Sequence, residues 1–173
     1  MRTTTWIWAA SLLVSAGCAS AEGQNDAEEV AVIEIGASVS RSLTEHTSSA
    51  GPNVAVEVSP IENWLELEAG VTPSFGPHST EWATDFLFKK PWKLSRTVEF
   101  MAGAGPEWIH TRDAGTSTNA VAGEAVLDFM FWVKRWKHKY GWYAEPAYEY
   151  SFARGHERSI GVSFGLLVAV RKQ

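Results

Sequence analysis

The chain is 173 residues long, with 15 Lys and Arg against 20 Asp and Glu, a net charge of −5, and nine Trp within a 12% aromatic content. That length suits one domain, and mild acidity with basic residues confined to short runs excludes a broad nucleic-acid-binding surface. Cys18 is the only cysteine, which excludes a disulfide framework.

Residues 1–21 carry the marks of a secretory signal peptide: Arg2, an apolar run from Trp6 to Ala16, and the small-residue pattern Ala19-Ser20-Ala21. The run falls short of the about 20 residues needed to span a bilayer, and no later stretch replaces it. A mature chain beginning near Glu22 would hold no thiol. Ser15-Ala16-Gly17-Cys18 is similar to a bacterial lipoprotein cleavage box, with Ser where Leu is usual, so lipidation of Cys18 is the alternative. Residues 22–29 are polar and acidic without periodicity and predict a flexible lead-in, leaving 30–173 as the folded domain.

From there the chain alternates with a period of two. The first strand sets Ala31, Ile33, Ile35, Ala37 and Val39 against Glu34, Gly36, Ser38 and Ser40. The second sets Val54, Val56 and Val58 against Ala55 and Glu57, and a turn is expected over Ser59 to Asn63, helped by Pro60. The third, Trp64 to Phe75, sets Leu65, Leu67, Ala69, Val71, Pro73 and Phe75 against Glu66, Glu68, Gly70, Thr72 and Ser74. The fourth has Trp82, Thr84, Phe86 and Phe88 on one face, Asp85 and Lys89 on the other, and is expected to turn at Lys90-Pro91-Trp92. The fifth sets Val98, Phe100, Ala102, Ala104, Pro106 and Trp108 against Glu99, Met101, Gly103, Gly105 and Glu107. The sixth sets Val121, Ala125, Leu127, Phe129 and Phe131 against Glu124, Val126, Asp128 and Met130. The seventh has Trp142, Ala144, Pro146, Tyr148 and Tyr150 opposite Tyr143, Glu145, Ala147 and Glu149. The eighth has Ile160, Val162, Phe164, Leu166, Val168 and Val170 opposite Gly161, Ser163, Gly165 and Ala169. Proline in a strand argues for an edge, so a β-bulge is expected at Pro146.

These segments predict an all-β, eight-stranded, antiparallel up-and-down barrel. Alternation alone leaves open whether the apolar face turns inward, as in a lipocalin-like carrier, or outward to lipid. The companion face decides, because it pairs carboxylates with Gly and Ala, suited to a crowded lumen, where a water-facing surface would favour Lys, Thr, Gln and Arg. The expected barrel is therefore transmembrane. Short periplasmic turns and longer external loops follow, the latter at Arg41 to Asn53, Gly76 to Thr80, His110 to Asn119 and Ala153 to Arg158. Trp64, Trp92, Trp132, Trp136 and Trp142 would form one interfacial girdle, and Phe75, Trp82 and Trp108 the other.

Spread over all eight segments, this pattern resembles the small outer-membrane barrels of Gram-negative bacteria, the OmpA-barrel, OmpX and OmpW type. The resemblance implies a monomer in the outer membrane, in contact with its lipids and lipopolysaccharide and inserted by the barrel assembly machinery. One departure is the end of the chain: such barrels usually finish on an aromatic, and here the last residues are Val168-Ala169-Val170-Arg171-Lys172-Gln173.

The lumen is expected to hold Glu34, Glu57, Glu66, Glu68, Asp85, Glu99, Glu107, Glu124, Asp128, Glu145 and Glu149, against Lys89, Lys134 and Arg171 near the periplasmic end. Unpaired charges in so narrow a space are costly. They must share protons, hydrogen-bond to Tyr143, Ser and water, or hold a cation, either as a plugged polar core or as a cation-selective passage. His46, His78, His110 and His156 fall one per external loop, a candidate metal ring at the mouth. Glu45, His46 and Ser48 have the residue types of a nucleophile, base and orienter, the basis of an alternative reading as a lipid A acyl hydrolase or transferase. Two basic runs, Lys89 to Lys93 and Lys134 to Lys139, would lie at the periplasmic rim, placed to meet anionic headgroups. The preferred reading is a surface, structural or small-solute-handling barrel without catalysis and without a cofactor.

Overall fold

Strong period-two alternation commits each segment to extended backbone, and sequential strands joined by short links pair with their neighbours. The computed structural model describes residues 29–75, 79–113, 116–133, 140–153 and 155–171. The signal peptide, the Cys18 box, most of the lead-in, His78, Trp136 and the run 134–139 lie outside the described residues. The strands are β1 (Glu29–Ser42), β2 (Ser48–Ile61), β3 (Leu65–Phe75), β4 (Ser79–Lys93), β5 (Val98–Asp113), β6 (Thr116–Trp132), β7 (Tyr140–Ser151) and β8 (Arg158–Arg171). Each pairs antiparallel with the next, and β8 returns to β1 to close the barrel, leaving no free edge around the ring.

Both ends of the described chain lie at one rim, since Glu29 pairs with Arg171. The links after β1, β3, β5 and β7 therefore lie at the other, distal rim. Side-chain parity follows the sequence in all eight strands: Ile35, Val54, Val71, Phe88, Leu127 and Phe164 are exposed on the outer face, while Glu34, Glu57, Glu68, Asp128 and Glu145 are buried inside. An apolar interior of the lipocalin-like kind is thus contradicted.

The strand ends differ from expectation. Strand pairing reaches into two segments expected as external loops, from Ser48 to Asn53 on β2 and from His110 to Asn119 across β5 and β6. The strands instead run on beyond the apolar belt. At the distal ends Thr116 to Asn119 are polar on both faces, carry no alternation, and still pair rung by rung with β5. The turn expected at Lys90-Pro91-Trp92 is strand: Pro91 pairs with Met101 and Trp92 with Phe100, and the chain reverses over 94–97, where the Leu94 and Ser95 amides both donate to the Val98 carbonyl. The turn after β2 is likewise later, at 62–64, with Asn63 in the left-handed region at φ 58°.

Proline explains local gaps in the ladder. Pro146 keeps continuous pairing with β8, while its pairing with β6 lapses between Ala144 and Ala147 without any change of register. The missing N–H costs a rung on one side only, and no bulge forms there. Register shifts fall elsewhere, at Pro60, where the β2–β3 register shifts between Val58 and Ile61, and between Glu29 and Ala31 where β1 meets β8. Trp132 also departs from its expected place in the girdle, since it points into the lumen and is 9% exposed.

Candidate functional site in the lumen

β4 carries Lys89 inward, and β5 sets Gly103 directly across from it. A β-carbon on Gly103 would come within 2.6 Å of the Lys89 side chain, so the glycine leaves the space that the lysine stem fills. Lys89 is 1% exposed. Its ammonium donates to Glu68, to Glu145 and to Asp128 Oδ2 at 3.1 Å, and lies 3.9 Å from Glu57 Oε2. Glu34, Glu57, Glu68 and Asp128 each bring an oxygen within 4.8 Å of the others'. A metal ion in that group would compete with the ammonium already there. The cluster supplies its own cation, which offsets the cost of burying so many carboxylates. The rung Glu57–Glu68, a pair of like charges on adjacent strands, is tolerable because Lys89 lies against both.

Toward the terminal rim the lumen is closed by packed side chains: Val32, Met101, Met130, Trp132, Tyr143 and Leu167 form one buried apolar cluster. The Trp132 indole donates to Glu99 Oε2 at 3.1 Å, giving the indole its partner. Tyr143 reaches across to donate to Asn53 Oδ1 at 2.7 Å, and Asn53 donates in turn to Thr72 Oγ1 at 2.9 Å. Gly36 makes this possible, since a β-carbon there would lie 2.8 Å from the Tyr143 hydroxyl.

Toward the distal rim the lumen holds a vestibule of about 60 Å³. Its wall carries Glu81, Asp85, Glu107, Glu124 and Glu149 with Ser and Thr hydroxyls, and no Lys, Arg or His among the described residues. Asp85 pairs directly with Glu107 on β5, and Glu124 with Glu149 on β7, so two rungs of facing carboxyl groups stand on neighbouring strand pairs. Thr111 donates to Glu81 at 3.2 Å. Glu107 is 7% exposed and its Oε2 has no hydrogen-bond partner. Gly70, opposite Asp85, leaves room for that carboxylate, since a β-carbon there would meet both its oxygens at 2.7 Å.

The remaining candidates are not gathered into a site. Glu66 faces Lys89 across the β3–β4 pair, and Glu99 serves Trp132 at the terminal end. His46 occupies the β1–β2 link in a left-handed conformation at φ 59°. His110 is held by Asn119 Oδ1 at 2.8 Å and Ser117 at 3.2 Å, and His156 lies 3.1 Å from the Tyr150 hydroxyl. Among the described residues, none of these histidines belongs to a group of three or more ligands close enough to share an ion. Glu45, His46 and Ser48 are exposed on that same short link and strand start, away from the lumen. In the first basic run the adjacent lysines part: Lys89 goes inside, whereas Lys90 donates to the Asn63 carbonyl at 2.7 Å beside the Trp64 ring.

No protein-family model and no curated protein matches the chain. Its fold is similar to three solved structures. Neisserial surface protein A (NspA) aligns at TM-score 0.68 and 12% identity, covering 81% of this chain and 97% of that one. The N-terminal β-barrel domain of Pseudomonas aeruginosa OprF aligns at 0.54 and 11%, covering 81% and 99%. Ail, the attachment invasion locus protein of Yersinia pestis, aligns at 0.51 and 15%, covering 83% and 99%. The architecture is that of the small eight-stranded outer-membrane barrels.

Proposed function

We propose that this chain is an integral outer-membrane β-barrel, exported by its N-terminal signal, that serves as a structural or surface protein with a closed lumen and no catalytic role. The observation that carries the reading is the outer face. Ile35, Val56, Phe86, Leu127, Trp142 and Phe164, drawn from six strands, are each 41–53% exposed around a barrel whose lumen buries Glu34, Glu57, Glu68, Lys89, Asp128 and Glu145. Water would penalise an apolar belt of this extent, and a bilayer is the solvent it suits. Trp64, Trp92 and Trp142 at the terminal rim and Phe75, Trp82 and Trp108 toward the distal rim are all exposed, which supports two interfacial girdles. The terminal rim then faces the periplasm and the distal rim the outside. Outer-membrane lipids with lipopolysaccharide are the immediate partners, and a monomer suffices because the barrel leaves no strand edge unpaired.

Expression in a Gram-negative host followed by fractionation tests this. The protein is expected in the outer-membrane fraction, released only by detergent, with an electrophoretic mobility that changes on boiling. Recovery as a soluble periplasmic species would overturn it. Lys89 and the apolar cluster beneath it support a non-conducting lumen, so planar-bilayer recordings are expected to show no steady current. Unaltered lipid A acylation in expressing cells is the corresponding expectation for the absence of catalysis.

A further inference from the structure

We infer that the distal vestibule is a binding site for a linear aliphatic amine of the polyamine class, entering from the loop end. The site goes beyond the membrane reading and is tested separately from it. Within one lumen the same motif, carboxylates on adjacent strands, occurs in two settings. The inner rung Glu57–Glu68 meets the ammonium of Lys89. Of the outer rungs, Asp85–Glu107 has Lys89 acting on Asp85 from deeper in the lumen, while Glu107, Glu124 and Glu149 have no basic residue beside them on the vestibule wall, and facing carboxylates repel when both are ionised.

Two further observations favour an external ammonium. Glu107 is buried to 7% exposure and its Oε2 has no partner; Glu34 Oε1, Glu57 Oε2 and Asp128 Oδ1 in the inner cluster share that condition, but of the four only Glu107 lines the vestibule. Glu68 and Glu145, which bind Lys89, also line the vestibule, so the cavity is continuous with a place where this lumen holds a primary ammonium. The ligand set is oxygen only, which excludes the softer transition metals. Among the described residues the outer carboxylates do not converge tightly enough to form a group around one ion. A chain bearing several ammonium groups spaced by methylenes matches acids distributed along a cavity, where a single compact ion does not.

Calorimetric titration of the full chain, refolded in detergent, with spermidine provides the test. Saturable binding is expected. Glu107→Gln with Glu124→Gln is expected to weaken it about tenfold or more, the loss that removing charge-assisted hydrogen bonds implies. Glu45→Gln, in the exposed β1–β2 link, is expected to leave it unchanged. Absence of binding to the wild type would overturn the inference. So would equal weakening by Glu45→Gln, which would mark a diffuse surface effect, or magnesium and calcium binding as tightly as spermidine and displacing it. Heat-modifiable mobility reports folding of each variant, and if the double variant does not fold, Glu124→Gln alone is read by the same criteria. Because the titration uses detergent-refolded protein, its failure leaves the fractionation result standing, and the reverse.

Discussion

The two halves of the lumen are built from the same acids and solve the same problem differently. In the terminal half, carboxylates from β1, β2, β3, β6 and β7 surround one lysine, and an apolar cluster seals the bore below them. In the distal half, five acids line an open cavity that no basic residue enters among the described residues. A narrow barrel can therefore accommodate many acids in two ways: by setting an internal cation among them, or by lining a cavity with them. The first half is a fastener and the second a receptor surface.

The sharpest way to break this contrast is to remove the cation. Lys89→Met keeps most of the stem volume against Gly103 and leaves Glu57, Glu68, Asp128 and Glu145 without their partner. Stripping one side of a buried ion cluster costs about 3–5 kcal/mol. Refolding yield and urea midpoint in detergent are the readouts; a midpoint within about 0.5 kcal/mol of the wild type would show that the acids do not depend on Lys89.

The apolar seal comes next. Met130 is 1% exposed within the cluster that includes Met101, Trp132 and Tyr143. Met130→Ala is expected to cost about 2–4 kcal/mol through lost burial and the cavity left behind. Bilayer recordings would then ask whether the seal or the Lys89 cluster blocks the bore: new conductance in Met130→Ala assigns the block to the apolar cluster, and continued silence with Lys89 intact assigns it to the ion cluster.

How much of this was legible beforehand follows from what alternation can encode. Period two fixed which face each of Glu34, Glu68, Asp128 and Glu145 takes, because a strand has only two faces. It could not fix partners across strands, since Asp85 opposite Glu107 and Glu124 opposite Glu149 depend on register around a closed ring. Lys89 was visible as an inward base. Its place as the hub of the acids was not, because those acids come from strands distant in sequence. The distal strand ends were missed for a different reason: both faces of Thr116 to Asn119 are exposed, so no hydrophobic signal marks them as strand. Trp132 was misplaced by its neighbourhood in sequence, near other aromatics at the rim, when its parity with Met130 puts it inside.

The smallest expected effect separates the two halves by sign. Glu68→Gln removes a charged partner from Lys89 and is expected to destabilise the barrel by about 1–3 kcal/mol, since a hydrogen bond to a charged group is lost in a buried setting. Glu124→Gln removes a charge that faces Glu149 across the β6–β7 pair and meets no protein cation. In the absence of any amine it is expected to leave stability unchanged or raise it by up to about 1 kcal/mol, the relief of a like-charged rung. Parallel urea titrations in the same detergent measure both. If the two substitutions shift the midpoint in the same direction and by similar amounts, the halves are one continuous acidic network, and the division between fastener and receptor surface fails. If they diverge, the distal acids are held in the fold against their own repulsion, the pattern expected of residues retained for what they bind.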